Sequence, residues 1–513
     1  MMKRIFLLLL AVVLLLSGCG TSEQAYVPTG DGLSYGTEDE SAAKPVEQQS
    51  GVQELALIYY PDRSMNPILA TDYTNRTIFS LVYQSLFAVD RDYNVEPILC
   101  KSYSVAPDLC SYNFVIEDKA TYSDGSPVTA EDVANSLLAA WDSTYYGGRF
   151  THFQSVVLED NGSITVNLKT PYENLPLLLD IPVIKKEELE AERPLGSGPY
   201  YYDDEAATLR MRRRTNWWCA ADMAATATVI ELQEAQSNPQ IRDQFQFFGL
   251  SVVCADPGSD SYADYRCDFE LWDCENGLFL YLAFNEESEA MKSKELRAAL
   301  TYAIDRERIA EEFYRNFAMA ASLPASPRSP YYPESLAEKY SYDPLKFADA
   351  VSAAGVYTYE VVFLVNSDDS LRARAARSIA EMLTDCGMTV TMKEVPTKEY
   401  RQALELKEYD IYLGQTKLSP NMDLSQFFSA DGNLNYGALD DANAYALCMS
   451  ALENHGNYYT LYKTVMDEGL LCPVLFRSYA IYATRGTITA LTPARDNVFY
   501  YSLGKTMEQI KVG

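Results

Sequence analysis

The fold class is decided by residues 359–413, which read YEVVFLVNSDDSLRARAARSIAEMLTDCGMTVTMKEVPTKEYRQALELKEYDIYL. Short apolar runs are typical of buried strands, and longer stretches with apolar residues three and four apart are typical of helices. On these criteria the segment predicts, in order, a strand at 361–365, a helix at 371–384, a strand at 388–392, a helix at 397–406 and a strand at 409–413. Strands that alternate with helices predict a sheet with parallel pairs and crossover helices, which is the α/β class.

The ends of predicted strands give the first candidate ligand contacts. In sheets of this kind, ligands bind beyond the carboxyl ends of the strands. Two predicted strands supply such candidates: Tyr60 and Asp62 at and just beyond the end of the strand at 55–60, and Gln415, Thr416 and Lys417 after the strand at 409–413. A buried lysine at this place would favour a carboxylate or another anion. The alternative for each of these residues is a solvated loop position.

The composition excludes several classes of function. The chain has 513 residues, enough for about three domains of ~150 residues each, and its 48% of hydrophobic residues is typical of a globular protein. Lys plus Arg number 42 against 72 Asp plus Glu, and the net charge of −30 repels nucleic acid. Only two histidines occur, His152 and His455, which excludes a metal site built on a histidine cluster. We therefore expect no nucleic-acid partner, no metal and no cofactor.

The first nineteen residues predict export and attachment to a membrane. Lys3 and Arg4 precede an apolar run at 5–16, which is too short to span a bilayer but fits a signal peptide. The sequence Leu16-Ser17-Gly18-Cys19 resembles the lipobox of bacterial lipoproteins. This resemblance implies a signal peptide at 1–18 and a lipid on Cys19. The alternative is an ordinary signal peptide with an incidental cysteine.

The residues after Cys19 predict a flexible tether. Residues 19–50 are polar, rich in Gly, Ser, Thr, Glu and Pro, and have almost no periodic apolar pattern. Within them, 32–36 match the G-x-S-x-G elbow of hydrolases, but neither the required strand nor the required helix is predicted around it. We interpret the match as chance. No other nucleophile motif has a supporting context, so we predict no catalytic residue and no enzymatic activity.

The remaining nine cysteines leave two interpretations open. Cys100 with Cys110, and two of Cys254, Cys267 and Cys274, are close enough in sequence to form local disulfides. The other interpretation is that the cysteines are mostly buried, small hydrophobic residues with free thiols. The absence of a C-x-x-C motif argues against a zinc ribbon or a thioredoxin-like redox site.

A series of motifs resembles one family in the expected order. They are Tyr83-Gln-Ser-Leu-Phe87, Val95-Glu-Pro-Ile-Leu99, the run at 123–133 (SDGSPVTAEDV), Gly196-Ser-Gly-Pro-Tyr200, Asn216-Trp-Trp218, Tyr281-Leu-Ala-Phe-Asn285 with 296–306 (LRAALTYAIDR), and Tyr342-Asp-Pro-Leu-Lys346. Together they resemble the bacterial extracellular solute-binding proteins of family 5, which are the oligopeptide-, dipeptide- and nickel-binding components of ABC importers. The resemblance covers residues from about 55 to 510.

The resemblance implies a fold and its domain boundaries. The fold would be a two-lobed clamp of the periplasmic-binding-protein type, with an extra subdomain on the first lobe and crossing strands as the hinge. The implied boundaries are 51–72, 190–280 and 486–513 for lobe I, 73–189 for the subdomain, and 281–485 for lobe II.

The resemblance also adds candidate site residues. Asp423, Asn435 and Tyr436 fall in the segment that lines the ligand cleft in the family. Peptide-binding members carry an aspartate shortly after the last strand of lobe II, and it pairs with the α-amino group of the peptide. In this chain that position falls near Pro420 and Asn421, and Asp423 comes a few residues later. This departure argues against recognition of a free amine. Lys417 could instead pair with Asp423 in a structural bridge.

The function implied is that of a monomeric substrate-binding lipoprotein of an ABC importer. It would capture a peptide or another small solute, deliver it to the permease subunits, and stay lipid-anchored at the outer face of the cytoplasmic membrane. One alternative is a surface sensor of peptide signals, or an adhesin, on the same fold. A secreted hydrolase is the remaining alternative, and it lacks a supporting motif.

Overall fold

The computed structural model describes residues 54–507 apart from 220, 236, 258–264, 356–359, 437–440 and 489, together with a two-residue strand at Leu33–Ser34. The predicted signal peptide at 1–18, the predicted lipidation site Cys19, and the predicted tether at 19–50 apart from that strand lie outside the described residues. No helix in the described part of the chain has the length and apolar character that crossing a membrane requires.

The described residues form eighteen strands. In chain order they are β1 (Leu33–Ser34), β2 (Glu54–Tyr59), β3 (Phe87–Val89), β4 (Val95–Pro97), β5 (Cys100–Val105), β6 (Ser111–Ile116), β7 (Phe153–Leu158), β8 (Ile164–Leu168), β9 (Tyr200–Tyr202), β10 (Arg210–Arg213), β11 (Val229–Glu234), β12 (Val252–Ala255), β13 (Phe269–Phe284), β14 (Ala318–Ala320), β15 (Glu360–Asn366), β16 (Thr389–Val395), β17 (Ile411–Lys417) and β18 (Cys472–Thr484).

The same residues form thirteen α-helices. They are α1 (Tyr73–Arg76), α2 (Phe79–Val82), α3 (Ala130–Trp141), α4 (Asn238–Gln246), α5 (Lys294–Ala299), α6 (Arg306–Tyr314), α7 (Glu334–Ala337), α8 (Pro344–Ala354), α9 (Ser370–Asp385), α10 (Thr397–Glu405), α11 (Ser425–Phe428), α12 (Ala442–Glu453) and α13 (Tyr458–Asp467). Short 3₁₀ helices lie at Gly147–Phe150, Leu175–Leu178, Lys186–Glu188, Leu300–Ala303, Glu338–Tyr340 and His455–Asn457.

The largest sheet contains the segment that decided the fold class. Its main strand order is β12-β18-β13-β17-β15-β16, with β1 paired to β13 and β14 paired to β18. β15 is parallel to both β16 and β17, and α9 and α10 form the crossovers between them. The predicted α/β class is confirmed, and the molecule is a two-lobed clamp.

The predicted end of the last strand was wrong. β17 continues to Lys417, so Gln415, Thr416 and Lys417 are its last three residues and not the start of a loop. They are polar, but pairing with β13, from Phe284 opposite Ile411 to Leu278 opposite Lys417, holds them in the strand. Such pairing depends on a neighbouring strand that is distant in sequence, and apolar pattern alone does not reveal it.

The two longest strands pair with each other near the predicted boundary between lobe I and lobe II, which β13 crosses. β13 has 16 residues and β18 has 13, and they are paired along most of their length. Between Glu275 and Phe279 their register shifts, which makes a bulge where β13 passes from one lobe to the other. Gly277 in this bulge has a φ of +69°, and a Cβ atom there would lie 2.0 Å from Nη2 of Arg495. The position therefore requires glycine, for its backbone conformation and for the close approach of the arginine.

Each part of the clamp has its own smaller sheet or hydrophobic core. The ranges predicted for lobe I (51–72, 190–280 and 486–513) include the sheet β2-β11-β10-β9, and the range predicted for the subdomain (73–189) includes the antiparallel sheet β5-β6-β8-β7 with the hairpin β3-β4. One continuous core joins these two parts, from Leu57 and Ile230 in lobe I to Phe114 and Leu137 in the subdomain.

The range predicted for lobe II (281–485) contributes a core to each face of the large sheet. Phe363 and Leu413 belong to the core on one face, and Leu364 and Tyr412 belong to the core on the other. Successive residues of a strand point to opposite faces, so a strand covered on both sides is apolar throughout. This explains why the run at 361–365 carries no polar residue.

Two further sequence predictions concern a helix start and the cysteines. Thr129 and Asp132 form the predicted capping box at the start of α3, because each side chain accepts a hydrogen bond from the backbone N–H of the other residue. All nine cysteines among the described residues have free thiols, so the local disulfides considered from the sequence are not formed.

Candidate ligand-binding site

A cavity of about 510 Å³ separates the subdomain from lobe II. The subdomain contributes the turn around Gly147–Phe150, lobe II contributes the end of β17 and the segment up to α11, and lobe I contributes Thr71 and Arg495. Its volume lies within the range of about 300–1,000 Å³ that is typical of small-molecule sites.

Three of the eight predicted ligand contacts line this cavity, namely Thr416, Lys417 and Asp423. They come from lobe II, where β17 ends and the chain turns towards α11. Because β17 continues to Lys417, it brings a threonine hydroxyl and a lysine ammonium to the wall of the cavity.

The other predicted residues of lobe II do not line the cavity. The amide oxygen of Gln415 accepts a hydrogen bond from Nη1 of Arg477 at 2.8 Å. Asn435 donates to the backbone oxygen of Ser429 at 3.0 Å. The ring of Tyr436 packs edge-on against Tyr412, with their centroids 6.2 Å apart.

The two predicted residues of lobe I also lie away from the cavity walls. The backbone N–H of Tyr60 donates to Oδ1 of Asn75 at 2.7 Å, and the guanidinium of Arg63 lies 4.2 Å from the centroid of the Tyr60 ring. Asp62 is an exposed turn residue directly after this tyrosine and Pro61. These contacts hold the end of β2 against α1.

Lys417 is held by groups from lobe I and the subdomain. Its ammonium donates to Oδ1 of Asp496 at 2.7 Å, to the hydroxyl of Tyr145 at 2.8 Å, and to the backbone oxygen of Asn276 at 2.9 Å. All three of its donors are therefore engaged. Burial lowers the pKa of Lys417 to about 8, because desolvation of the ammonium outweighs the attraction of Asp496. The side chain joins the lobes next to the bulge of β13.

The predicted alternative, a bridge between Lys417 and Asp423, was wrong. Asp423 instead pairs with His152 of the subdomain, with Oδ2 and Nε2 2.9 Å apart, and it accepts a hydrogen bond from the backbone N–H of Ser425 at 2.8 Å. Burial alone would raise the pKa of the Asp423 carboxyl, but the bonds from His152 and Ser425 hold that pKa below its usual value. The carboxylate thus connects lobe II with the subdomain.

The second histidine also pairs with a carboxylate. Oε2 of Glu173 in the subdomain accepts from the backbone N–H of His455 at 3.0 Å and lies 3.4 Å from Nδ1 of its ring. The imidazole ring packs against Tyr331, with centroids 4.5 Å apart. Burial lowers the pKa of His455, although the negative charge of Glu173 opposes that effect. Both histidines of the chain therefore bridge the subdomain and lobe II.

We expect His455 to make stability depend on pH. Its pKa is lower in the folded protein than in the unfolded chain, where it is about 6.5. Below that pH the unfolded chain binds more protons, so the free energy of unfolding falls as the pH decreases from 7.5 towards 5.5. His455→Gln should show a smaller decrease over this interval in urea titrations. Equal pH slopes for the two proteins would contradict the assignment.

β13 carries two buried carboxylates just before Asn276, the residue whose backbone oxygen binds Lys417. Asp273 pairs with Arg91 of the subdomain at 2.7 Å and with Arg328 of lobe II at 2.6 Å. Oε1 of Glu275 accepts from the hydroxyl of Tyr93 at 2.6 Å. Burial raises the pKa of Glu275. These bonds connect the subdomain and lobe II to the strand that passes between the lobes.

Several residues that line the cavity were missed in the sequence. Tyr145, Arg149 and Arg495 belong to it. The first two lie in the run 144–149, TYYGGR, whose paired glycines begin a short 3₁₀ helix, and Arg495 precedes Asp496 in an otherwise mostly uncharged segment. These signals are weak, because neither resembles a motif with a defined chemistry. No group of three or more potential metal-ligating side chains occurs in the described ranges.

Comparison with known proteins places these features in a family. Residues 94–436 match the family model described as "Bacterial extracellular solute-binding proteins, family 5 Middle". The oligopeptide-binding protein AppA of Bacillus subtilis is 25% identical over 380 residues, which are 68% of this chain and 65% of that protein. The match thus spans slightly less than two thirds of the length of this relative.

Solved structures share the architecture. The ABC transporter substrate-binding protein CtaP of Listeria monocytogenes has a TM-score of 0.70 and 22% identity, and the match covers 88% of this chain and 98% of CtaP. A putative peptide-binding protein AppA from Clostridium difficile has a TM-score of 0.71 and 18% identity, with coverage of 88% and 98%. These identities establish the fold only, whereas the family model covers most of the sequence. The chain belongs to the bacterial extracellular solute-binding proteins of family 5.

Proposed function

We propose that this protein is the substrate-binding lipoprotein of an ABC importer, which captures a peptide or peptide-like solute and delivers it to a membrane permease. The observation that carries the proposal is the cavity of about 510 Å³ whose walls come from lobe I, its subdomain and lobe II. A solute in this cavity would touch both lobes at once. It would therefore favour the conformation in which the lobes are close together.

The mechanism would be a shift between open and closed forms. A ligand changes this equilibrium only to the extent that it binds one form more tightly than the other. Closure removes the polar groups of the solute from water, so they need fixed partners in the cavity. The pairs His152–Asp423 and Lys417–Asp496 lie beside the cavity and link parts that would separate on opening. We propose that they contribute to the closed form.

The domain boundaries and contact residues belong to the same proposal. Lobe I would comprise 51–72, 190–280 and 486–513, with the subdomain at 73–189 and lobe II at 281–485, and β13 with β18 would form the hinge. Of the predicted contacts, Thr416, Lys417 and Asp423 would face the solute, because they line the cavity. The other five would contact only a solute that extends beyond it.

Native mass spectrometry tests the capture of a solute. The protein, purified in detergent after growth in a peptide-rich medium, should carry a bound molecule of defined mass, which denaturation releases for identification. The same spectrum should show a monomer. A spectrum of ligand-free protein, with no shift of the melting temperature by peptides, metal chelates or sugars, would contradict the proposal and favour a surface sensor or adhesin.

We expect the membrane attachment to depend on Cys19. The sequence 16–19, LSGC, is the basis for placing the protein at the outer face of the cytoplasmic membrane through a lipid. Cys19→Ser should remove incorporation of labelled palmitate completely, because the thiol is the acceptor. Labelling is the decisive readout, since an uncleaved signal peptide could still retain the variant at the membrane. Cys386→Ser, at a partly exposed cysteine outside the predicted signal sequence, is the matched control and should keep its label.

A further inference from the structure

A smaller chamber lies next to the interlobe cavity. Its volume is about 90 Å³, and it shares Tyr145, Arg149 and Arg495 with the cavity as common walls. A buried water needs about 10–15 Å³ by this kind of measure. The chamber thus has room for several waters or for the end of a solute side chain.

The charges around the chamber favour an anion. Three arginines line it, Arg76, Arg149 and Arg495, against two carboxylates, Asp180 and Asp496. Asp180 is paired with Arg149, and Asp496 is paired with Lys417 and, at 3.9 Å, with Arg495. Arg76 has no carboxylate within ion-pair distance among the described residues, and it donates to the hydroxyl of Tyr146 at 2.7 Å and to the carbonyl of Ala70 at 3.0 Å. The local charge is positive, although the whole chain carries −30.

Two hydrogen-bond donors of these arginines are unused, against one unpaired acceptor in the same wall, Oδ1 of Asn497. Nε of Arg76 and Nε of Arg495 are buried, and neither has an acceptor within the part of the chain that the structure describes. Arg495 as a whole is only 4% exposed. Buried donors are normally paired, and an arginine left without an acceptor loses its hydration without compensation. A carboxylate supplies several acceptor sites and matches the planar guanidinium.

The walls of the chamber also suit the apolar part of a side chain that ends in a carboxylate. Phe79, Tyr83 and Tyr146 contribute aromatic surface beside the arginines. Aromatic rings bury methylene groups well, while their hydroxyl groups bind polar atoms. The opening towards the cavity is flanked by Tyr145, over whose ring the guanidinium of Arg76 lies at 3.4 Å.

We propose that this chamber is a subsite for a carboxylate of the captured solute, so that the protein selects acidic peptides or peptide-like acids. The inference rests on the proposed function, because the solute must first enter the interlobe cavity. It replaces the earlier expectation that Lys417 would attract an anion, since the ammonium of that residue is already neutralised by Asp496. The carboxylate can belong to a side chain or to the C-terminus of a peptide.

Matched tripeptides test both sources of the carboxylate. Calorimetric titration of the detergent-solubilised mature protein would compare Ala-Glu-Ala with Ala-Gln-Ala, and Ala-Gln-Ala with its C-terminal amide. At least one comparison should favour the free carboxylate by roughly tenfold in Kd, as expected for a charged hydrogen-bonded partner. Kd values that are equal in both comparisons would overturn the proposal.

Two variants connect the preference to the chamber. Ala88→Leu fills the space from β3 without removing a charge, and Arg76→Gln removes one cation. Each should abolish the preference for the free carboxylate. Arg308→Gln is the matched control, because Arg308 is an exposed residue of α6 paired with Glu312 and is not a wall of the chamber. A preference that persists in Ala88→Leu with an intact melting transition would overturn the assignment.

A separate measurement distinguishes failure of the subsite from failure of the proposed function. If no tripeptide binds, sodium succinate is the probe, with sodium chloride at equal ionic strength as the reference. A higher melting temperature in succinate, absent in Ala88→Leu, would support the carboxylate subsite even though peptide capture had failed. No effect of succinate on the wild-type protein would overturn the subsite as well.

Discussion

Replacement of Asp273 by alanine is expected to lower the free energy of unfolding by about 3–5 kcal/mol. Asp273 is 2% exposed and binds Arg91 through one carboxylate oxygen and Arg328 through the other. Its removal leaves two largely buried guanidinium groups without their carboxylate. The loss of a buried charge's direct partner is far more destabilising than the net value of the intact pair.

The position of Asp273 explains why the expected effect is large. Arg91 lies in the subdomain, Arg328 lies in lobe II, and Asp273 lies on β13, which runs between the lobes. A single carboxylate therefore holds three parts of the molecule together. We also expect Asp273→Ala to weaken solute capture, because closure would have to bring the two arginines together without the charge that neutralises them.

Urea unfolding followed by circular dichroism measures this effect. Asp118→Ala is the matched control, since it removes an aspartate whose partner Lys101 is on the surface and whose own side chain is 71% exposed. Exposed pairs contribute little, so the control should unfold like the wild-type protein. If Asp273→Ala and Asp118→Ala have the same midpoint, the bridge does not stabilise the clamp.

Lys417→Met is expected to cost about 2 kcal/mol or more in stability, and to weaken solute binding. The ammonium joins Asp496 and Asn276 of lobe I to Tyr145 of the subdomain from the end of β17. Methionine retains the apolar stem but leaves the side chain of Asp496, which is only 11% exposed, without its ammonium. The pKa of Asp496 is held below its usual value mainly by Lys417 and Arg495, against the effect of burial, and should rise in the variant.

A double-mutant cycle separates the pair from its surroundings. Asp496→Asn in the Lys417→Met background removes the uncompensated charge, so the double variant should recover part of the lost stability. Lys407→Met is the control, because Lys407 pairs with the exposed Glu287 away from the cavity. Strictly additive effects of the two substitutions would show that Lys417 and Asp496 do not act as a pair.

Much of the fold was predictable because its signals are local. The five elements in 359–413, the capping box at Thr129 and the first strand each depend on residues within a few positions of one another. The family motifs are equally short, and their order along the chain sufficed to predict the clamp. The end of β17 was not predictable in this way, since its last residues are polar and are held by pairing with β13.

Much less of the candidate site was predictable. Thr416, Lys417 and Asp423 line the cavity, and their contact with a ligand stays a prediction. The first two were predicted because ligands bind beyond the ends of strands in α/β sheets, and Asp423 was predicted from the family resemblance. Tyr60 and Asp62 follow a strand by the same rule, but they do not line this cavity because their strand belongs to the separate sheet of lobe I. The rule identifies strand ends, and the arrangement of sheets decides which ends face each other.

The sequence by itself determined the α/β class, the acidic surface, the order of elements and the family, because these depend on composition and on neighbours along the chain. The tertiary structure alone decided which charges meet. Lys417 binds Asp496, 79 residues away, and Asp423 binds His152, 271 residues away. Ion pairs need atoms within about 4 Å, and only the packing of the lobes sets such distances between remote residues. The arginine-lined chamber has the same origin, since its walls come from segments that only the folded lobes bring together.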